Sequence, residues 1–310
     1  MKRILITSVG TATAVNLIKY FHKLGDYIVG TDINAYGYTA GSMLVDEFVR
    51  VSLANTEGYL DEIQQIIEDK MIDIFIPVND IEVYVVALGK EKIKCKCVIP
   101  ESNVIEAVRD KYICSNILRE TGVTVPQIVK ADYKGKRILR DRIGVGSKGI
   151  LMLEENDITP QYNLSDKFLQ RYVEGEEYTV DVLTDQEGKP VYIVPRKRLE
   201  VKSGVATKVY IEKNEKLISY VEKILQKVCL PGFSNIQFIK DEQENYWFIE
   251  INYRFAGAGA STLAVSKDYL ETFKKIADGK PVSLPLNKDV KWNSVVTRYY
   301  EEVVYEEGIS

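Results

Sequence analysis

Residues Ser234–Thr262, SNIQFIKDEQENYWFIEINYRFAGAGAST, decide the fold. Two apolar-rich runs flank the polar DEQEN of Asp241–Asn245, which predicts two strands joined by a turn. Glu250 and Asn252 are two apart and share a strand face, and Gln237 joins them if the hairpin pairs in the ordinary register. Three oxygen-bearing side chains on one face, followed at once by Arg254, suit a divalent cation and a phosphate. Hard cations take oxygen ligands, and a guanidinium matches phosphate oxygens. A Glu-x-Asn on its own is more often a solvated strand face, so the reading turns on its company.

Three upstream segments supply that company, in a fixed order. Asp110-Lys111 opens a helical pattern running to Glu120, followed by the extended TGVTVPQ. RILRDRIGVGSKGI (137–150) is a basic strand ending in a glycine-rich loop. FLQRYVEGEEYTVDVL (168–183) reads strand, tight Glu174-Gly175 turn, strand. In order and content these segments resemble the ATP-grasp superfamily, in its carbamoyl-phosphate-synthetase-large-subunit-like branch of carboxylate–amine ligases.

The resemblance implies an α/β and α+β chain: an ATP-grasp fold preceded by a Rossmann-like, pre-ATP-grasp parallel-sheet domain. The expected units are residues 1–107, then a small lobe with the glycine-rich loop over 108–173, then a large lobe with the metal site over 174–310. Lys111 matches the first nucleotide-binding lysine, and Arg140 a cation on the strand before the loop. In GVGSKG (144–149), Gly146, Ser147 and Lys148 would approach the triphosphate. Backbone at Gln170, Arg171, Tyr172 and Val173 would meet the adenine edge, and Glu177 the ribose hydroxyls. Gln237, Glu250 and Asn252 match metal ligands, for two Mg²⁺ ions with Mn²⁺ as an alternative. Arg254, with Arg140, would stabilise the transferring phosphoryl group.

The implied reaction is ATP-dependent amide formation through an acyl phosphate, from a small carboxylate and an amine, at least one of them an amino acid by default. The alternatives are a carbamoyl- or carboxyphosphate-forming enzyme that uses bicarbonate, and an ATP-binding module without turnover. A homodimer is expected from the family alone. Three departures from the pattern stand out: Asp141 after Arg140 and Tyr253 after Asn252, where relatives have proline, and the neutral Gln237 where many ATP-grasp ligases have a carboxylate.

The N-terminal third alternates strand and helix: RILITSV, a helix from Ala12 to Leu24, YIVGTDI, a helix from Tyr59 to Asp69, then IDIFIPV. Such alternation implies a parallel sheet. A dinucleotide site at Gly10 and Asp32 is the obvious expectation, but SVGTATA lacks G-x-G-x-x-G, and a nicotinamide enzyme ranks last. Asn79, Asp80 and Glu82 follow the third of these strands, where such sheets place ligands; a capped helix start explains them nearly as well. Glu82 is carried forward as a substrate candidate, with Arg196 and Arg198, which share a face of VYIVPRKRLEVK. For these arginines a solvated strand and a carboxylate or phosphate clamp weigh equally. Ser203-Gly204 marks a turn able to close over substrate, Thr262 to Ala277 reads as one helix, and VVTRYYEEVVYEE as one or two strands.

The chain has 310 residues, 45% hydrophobic and 28% charged, and a formal net charge of −4. That balance argues against nucleic acid as the main partner. No apolar run reaches the ~20 residues of a membrane span, and MKRILITSVG lacks a signal peptide's core, so a cytoplasmic enzyme is expected. Cys95 and Cys97 form C-x-C in an expected strand, and with Cys114 and Cys229 they make no metal-ligand framework. The single histidine, His22, lies among Tyr20, Phe21 and Leu24, which argues against histidine-dependent and zinc hydrolases.

Overall fold

The computed structural model describes residues 1–144, 149–282 and 286–306. The chain opens with β1 (Arg3–Ile6), α1 (Ala12–Lys23), β2 (Tyr27–Asp32), α2 (Ala40–Leu44), β3 (Glu47–Arg50), α3 (Tyr59–Asp69), β4 (Ile74–Ile76), α4 (Asp80–Leu88) and α5 (Ser102–Arg109). The four strands form a parallel sheet in the order β3-β2-β1-β4. Alternation along β1 sends Leu5 to one face and Ile4 and Ile6 to the other, so both faces are buried and both need helical cover. Side chains start the helices: Thr11 accepts from the Ala14 amide to cap α1, and Asn79 from the Ile81 amide to cap α4.

Next come α6 (Lys111–Arg119), β5 (Ile128–Val129), β6 (Arg137–Asp141), β7 (Leu151–Leu153) and β8 (Lys167–Arg171). Their strands make an antiparallel sheet ordered β5-β8-β6-β7. Its own core is small, built on Val129, Leu139, Leu153 and Leu169. The rest of the chain comprises β9 (Glu176–Thr184), β10 (Pro190–Lys202), β11 (Val205–Ile211), α7 (Glu215–Lys227), β12 (Gly232–Lys240), β13 (Tyr246–Asn252), α8 (Ala260–Val265), α9 (Tyr269–Ala277) and β14 (Ser294–Thr297). Here a six-stranded antiparallel sheet runs β13-β12-β9-β10-β11-β14. The two large apolar clusters each combine residues of the parallel sheet with residues of this one, so these two units share their cores.

The strand–turn–strand of residues 168–183 is not a hairpin. Its first strand, β8, belongs to the small sheet and its second, β9, to the large one, so the Glu174-Gly175 turn is the crossing between them. Glycine is needed there because a Cβ on Gly175 would lie 2.0 Å from the Lys240 carbonyl oxygen. The β12–β13 hairpin turns through Asp241, whose carboxylate accepts from the Asn245 amide (2.8 Å) and the Trp247 indole (2.7 Å).

Several local expectations fail. The helix expected over Thr262 to Ala277 divides into α8 and α9, because the hydroxyl of Ser266 and the amide of Asp268 both donate to Asp289 (2.8 Å each). The strand expected around Cys95 and Cys97 reduces to one bridge, Lys96 beside Ile74. The tyrosine- and valine-rich tail forms one strand, β14, among the described residues, in keeping with the one or two expected, while β3 was not anticipated. Among the described residues, no helix is long and apolar enough to cross a membrane.

Candidate functional site

The β12–β13 hairpin pairs Gln237 with Glu250 and Asn235 with Asn252. Asn252 Nδ2 donates to Asn235 Oδ1 (3.2 Å) and Glu250 Oε1 (3.3 Å). Its Oδ1 and the Gln237 amide have no partner among the described residues. Glu250 Oε2 faces two cations, Lys111 Nζ at 3.8 Å and Arg140 Nη2 at 3.7 Å. Both distances exceed a hydrogen bond and leave room for a bridging atom.

Each cation is held by its own element. Asp110 caps α6, accepting from the Tyr112 (3.0 Å) and Ile113 (3.1 Å) amides, and also takes both Nε (2.9 Å) and Nη2 (2.6 Å) of Arg142. That fork ties α6 to the end of β6 and fixes Lys111, the first helical residue, whose Nζ donates to the Gly144 carbonyl at 2.7 Å. Burial pulls the Lys111 pKa down, against the opposing pull of Glu250. On β6, Ile138 and Arg140 face the same way by strand alternation and line one cleft. Arg140 is buried, donates to Gln170 Oε1 (3.3 Å), and keeps its Nε buried without a partner. Burial lowers its pKa as well.

The cleft, about 390 Å³, separates the small and large sheets. Ile138, Ile150, Met152 and Ile239 give it apolar walls; Arg140, Glu177, Arg198, Gln237 and Glu250 form its polar end. The crossing residues 170–173 line it, but their backbone is partly committed. The Arg171 amide donates to Gln127 (2.8 Å) and the Tyr172 amide to Lys136 (2.9 Å), while the Val173 amide has no partner among the described residues. The Gln170 side chain is buried between Arg140 and the Pro126 carbonyl. Glu177, half exposed, pairs with Arg198 at 2.5 Å. Asp141 turns to Lys167 rather than into the cleft. Gly146, Ser147 and Lys148 lie outside the described residues.

Beyond Glu250 lies a second hollow of about 320 Å³, lined by Asn79, Asp80, Arg196, Arg198, Asn252 and Arg254 among others. Arg254 is anchored across domains: its Nε meets Asp80 Oδ2 at 2.8 Å, while the Tyr253 hydroxyl donates to the Asp80 carbonyl (3.2 Å). Arg196, 1% exposed, forms two 2.7 Å bonds to Asp181, which also accepts from Thr262, and its Nη1 is buried unpartnered. Glu250 lines the cleft, this hollow, and a smaller one of about 190 Å³ beside Lys111.

Glu82 is not brought to the site. Its carboxylate is buried and accepts from Thr7 Oγ1 (2.5 Å) and the Tyr59 hydroxyl, and burial pushes its pKa up. The expected substrate contact there is corrected to a buried structural group of the N-terminal domain. The dinucleotide turn is also filled from within: Asp32 accepts from the Gly10 amide (2.7 Å) and from the Asn34 amide (3.0 Å) and Nδ2 (2.8 Å). Sequence reasoning missed Asp181 and Asn235, and the partnership of Asp80 with Arg254. The signal for Asp181 was present, a lone carboxylate inside the apolar strand YTVDVL (178–183).

The donor set suits a Mg²⁺–nucleotide more than a free ion. Among the described residues no group of three or more His, Cys, Asp and Glu gathers to hold a metal. The Glu250 carboxylate, Asn252 Oδ1 and the Gln237 amide oxygen instead fit a cation whose remaining ligands come from phosphates.

Residues 163–297 match the family described as "ATP-grasp in the biosynthetic pathway with Ter operon", and residues 4–100 match "PylC-like, N-terminal domain". The D-alanine–D-alanine ligase of Chromohalobacter salexigens is 24% identical over 257 residues, 72% of this chain and 74% of that one. The biotin carboxylase domain of Hydrogenobacter thermophilus 2-oxoglutarate carboxylase, solved with MgADP, ADP and bicarbonate, superposes with a TM-score of 0.73. It is 17% identical and the match covers 95% of this chain and 73% of that one. N5-carboxyaminoimidazole synthetase from Staphylococcus aureus, solved with ADP, gives 0.70 at 17% identity, covering 96% and 80%.

Proposed function

We propose, from the premise that this chain carries an ATP-grasp domain behind a PylC-like N-terminal domain, that it is an ATP-dependent carboxylate–amine ligase working through an acyl phosphate. One observation carries the reading: Glu250 sits where the nucleotide cleft meets the acceptor hollow, at 3.7–3.8 Å from two buried cations it does not neutralise by contact.

In this reading the apolar walls hold the adenine, with the unpartnered Val173 amide at its edge, and Glu177 accepts from the ribose. Lys111 and Arg140 bind phosphate oxygens, joined by Gly146, Ser147 and Lys148 from the resemblance. Gln237, Glu250 and Asn252 would hold Mg²⁺, which when bound neutralises charge on the phosphates; two ions are the expected number. A substrate carboxylate oxygen attacks the γ-phosphorus and ADP leaves. The amine nitrogen then attacks the acyl carbon, expelling phosphate and losing a proton. Arg254, steadied by Asp80, faces the transferring group, and Arg196 and Arg198 line the substrate side. Phosphoryl transfer needs positioning and charge neutralisation rather than a protein nucleophile, and the residues present supply both. Enclosure between the sheets protects the acyl phosphate from water.

The test is ADP release from Mg²⁺-ATP across a matrix of amino acids, other carboxylates, bicarbonate and amines, with mass detection of products. The reading expects ADP only when an acid and an amine are both present, with a product mass equal to their sum less water. ADP release with bicarbonate and no other acid would replace the acyl phosphate with carboxyphosphate. Saturable ATP binding without ADP in any combination would reduce the protein to a binding module.

A further inference from the structure

A further hollow is larger than both the nucleotide cleft and the acceptor hollow. It measures about 700 Å³ and lies between α1, α8 and the β11–β14 edge of the large sheet, with the segment after β14 as its far wall. We propose that this groove is a binding site for the distal part of one ligase substrate, and that this part is a flexible chain bearing several carboxylates. Its place in a reaction rests on the ligase reading; the binding itself does not.

Adjacency gives the groove its position. Ser203 and Val205 line both it and the acceptor hollow, so the two lie side by side. Arg298, which lines the groove, donates from Nη1 to the carbonyl of Gly257, a residue of the acceptor hollow (3.2 Å). At about 700 Å³ the groove is within the range of small-molecule sites, roughly 300–1,000 Å³.

Charge and hydrogen bonding give the ligand its class. Four cations line the groove, Lys19, Lys23, Lys202 and Arg298, against one carboxylate, Glu301. Lys19 is taken by Glu301, and Lys202 has Glu200 at 3.3 Å outside the lining. Lys23 lies 4.4 Å over the Tyr20 ring and has no carboxylate partner among the described residues. Ser261, 1% exposed, and Asn16 also line the groove, and the Ser261 hydroxyl and Asn16 Nδ2 are buried without partners. Buried donors left unpaired are costly, so a ligand rich in acceptor oxygens suits these walls and a basic or purely apolar one does not.

The test uses the full chain saturated with Mg²⁺ and the non-hydrolysable analogue AMPPNP, with tri-glutamate and tri-glutamine peptides as probes titrated by calorimetry. Wild type is expected to bind tri-glutamate at least tenfold more tightly than tri-glutamine. The double variant Lys23→Glu/Lys202→Glu, altered at exposed positions, should lose at least tenfold toward tri-glutamate while its AMPPNP affinity stays within twofold. Equal binding of the two peptides, no binding of either, or undiminished tri-glutamate binding by the variant would overturn the proposal. Binding is read here without turnover. Failure of the ligase reading would appear separately, as the absence of ADP release from every acid–amine pair.

Discussion

Two carboxylates of this molecule, Glu82 and Glu250, are both site candidates by sequence and meet opposite fates. Glu82, just after a buried parallel strand, is enclosed by Thr7 and Tyr59 and has its acceptors filled by the fold. Asp32, at the end of β2 in the same sheet, is likewise spent on Gly10 and Asn34. Glu250 stands apart from its two cations, and around it Arg140 Nε is buried unpartnered and Gln237 is unengaged. The fold itself fills the Glu82 and Asp32 carboxylates, whereas the cleft between the sheets holds Arg140 Nε and the Gln237 amide without partners among the described residues. Buried groups are normally satisfied, so unfilled groups that line a cleft mark a site better than residue type does.

The contrast breaks first at Glu250. Glu250→Ala is expected to lower the ADP-release rate by at least about 100-fold, the scale of losing a principal electrostatic group, with a far-UV circular dichroism spectrum and melting temperature close to wild type. Retained turnover would place the chemistry elsewhere. Arg140→Gln comes next: the KM for ATP should rise by about tenfold or more, on the order of 1.4 kcal/mol. Asp80→Asn sharpens the boundary between the two regions. By loosening Arg254 from the N-terminal domain it should lower kcat by roughly tenfold while leaving the KM for ATP unchanged, a split that simple destabilisation does not produce.

The smallest effect belongs to Glu82. Because burial raises its pKa, the folded state holds the proton that the unfolded chain releases. Its contribution to stability is therefore fully present below the unfolded value and is lost as pH rises through the folded one. Relative to wild type, Glu82→Gln should gain melting temperature as pH rises above about 4, near the ordinary glutamate value, with turnover per folded molecule unchanged. A pH-independent difference would mean that Glu82 does not titrate differently on folding.

Much of this was legible in the chain because the deciding features are local. The turn at Asp241–Asn245 and the two-residue spacing of Glu250 and Asn252 fix a hairpin, and the register that sets Gln237 beside Glu250 follows from the pleat. Alternation of strand and helix gave the parallel sheet, and Asp110-Lys111 the start of α6. What escaped depends on distant partners. Asp80 and Arg254 are 174 residues apart, and the break between α8 and α9 is set by Asp289, about 20 residues on. Which side of α4 would carry Glu82 inward was decided by Thr7 and Tyr59, invisible to a helix-start pattern that fits Asn79, Asp80 and Glu82 alike. The Glu174-Gly175 turn looked like any tight turn, and only the partners of β8 and β9 show that it joins two sheets.

The most direct measurement is the Mg²⁺ dependence of AMPPNP binding to wild type, Glu250→Ala and Glu82→Ala, by calorimetry at one pH and ionic strength. If the cleft around Glu250 is the Mg²⁺–ATP site, Mg²⁺ tightens AMPPNP binding by at least tenfold in wild type and in folded Glu82→Ala, and not in Glu250→Ala. Equal tightening in all three proteins, or its loss in Glu82→Ala instead, would contradict the assignment.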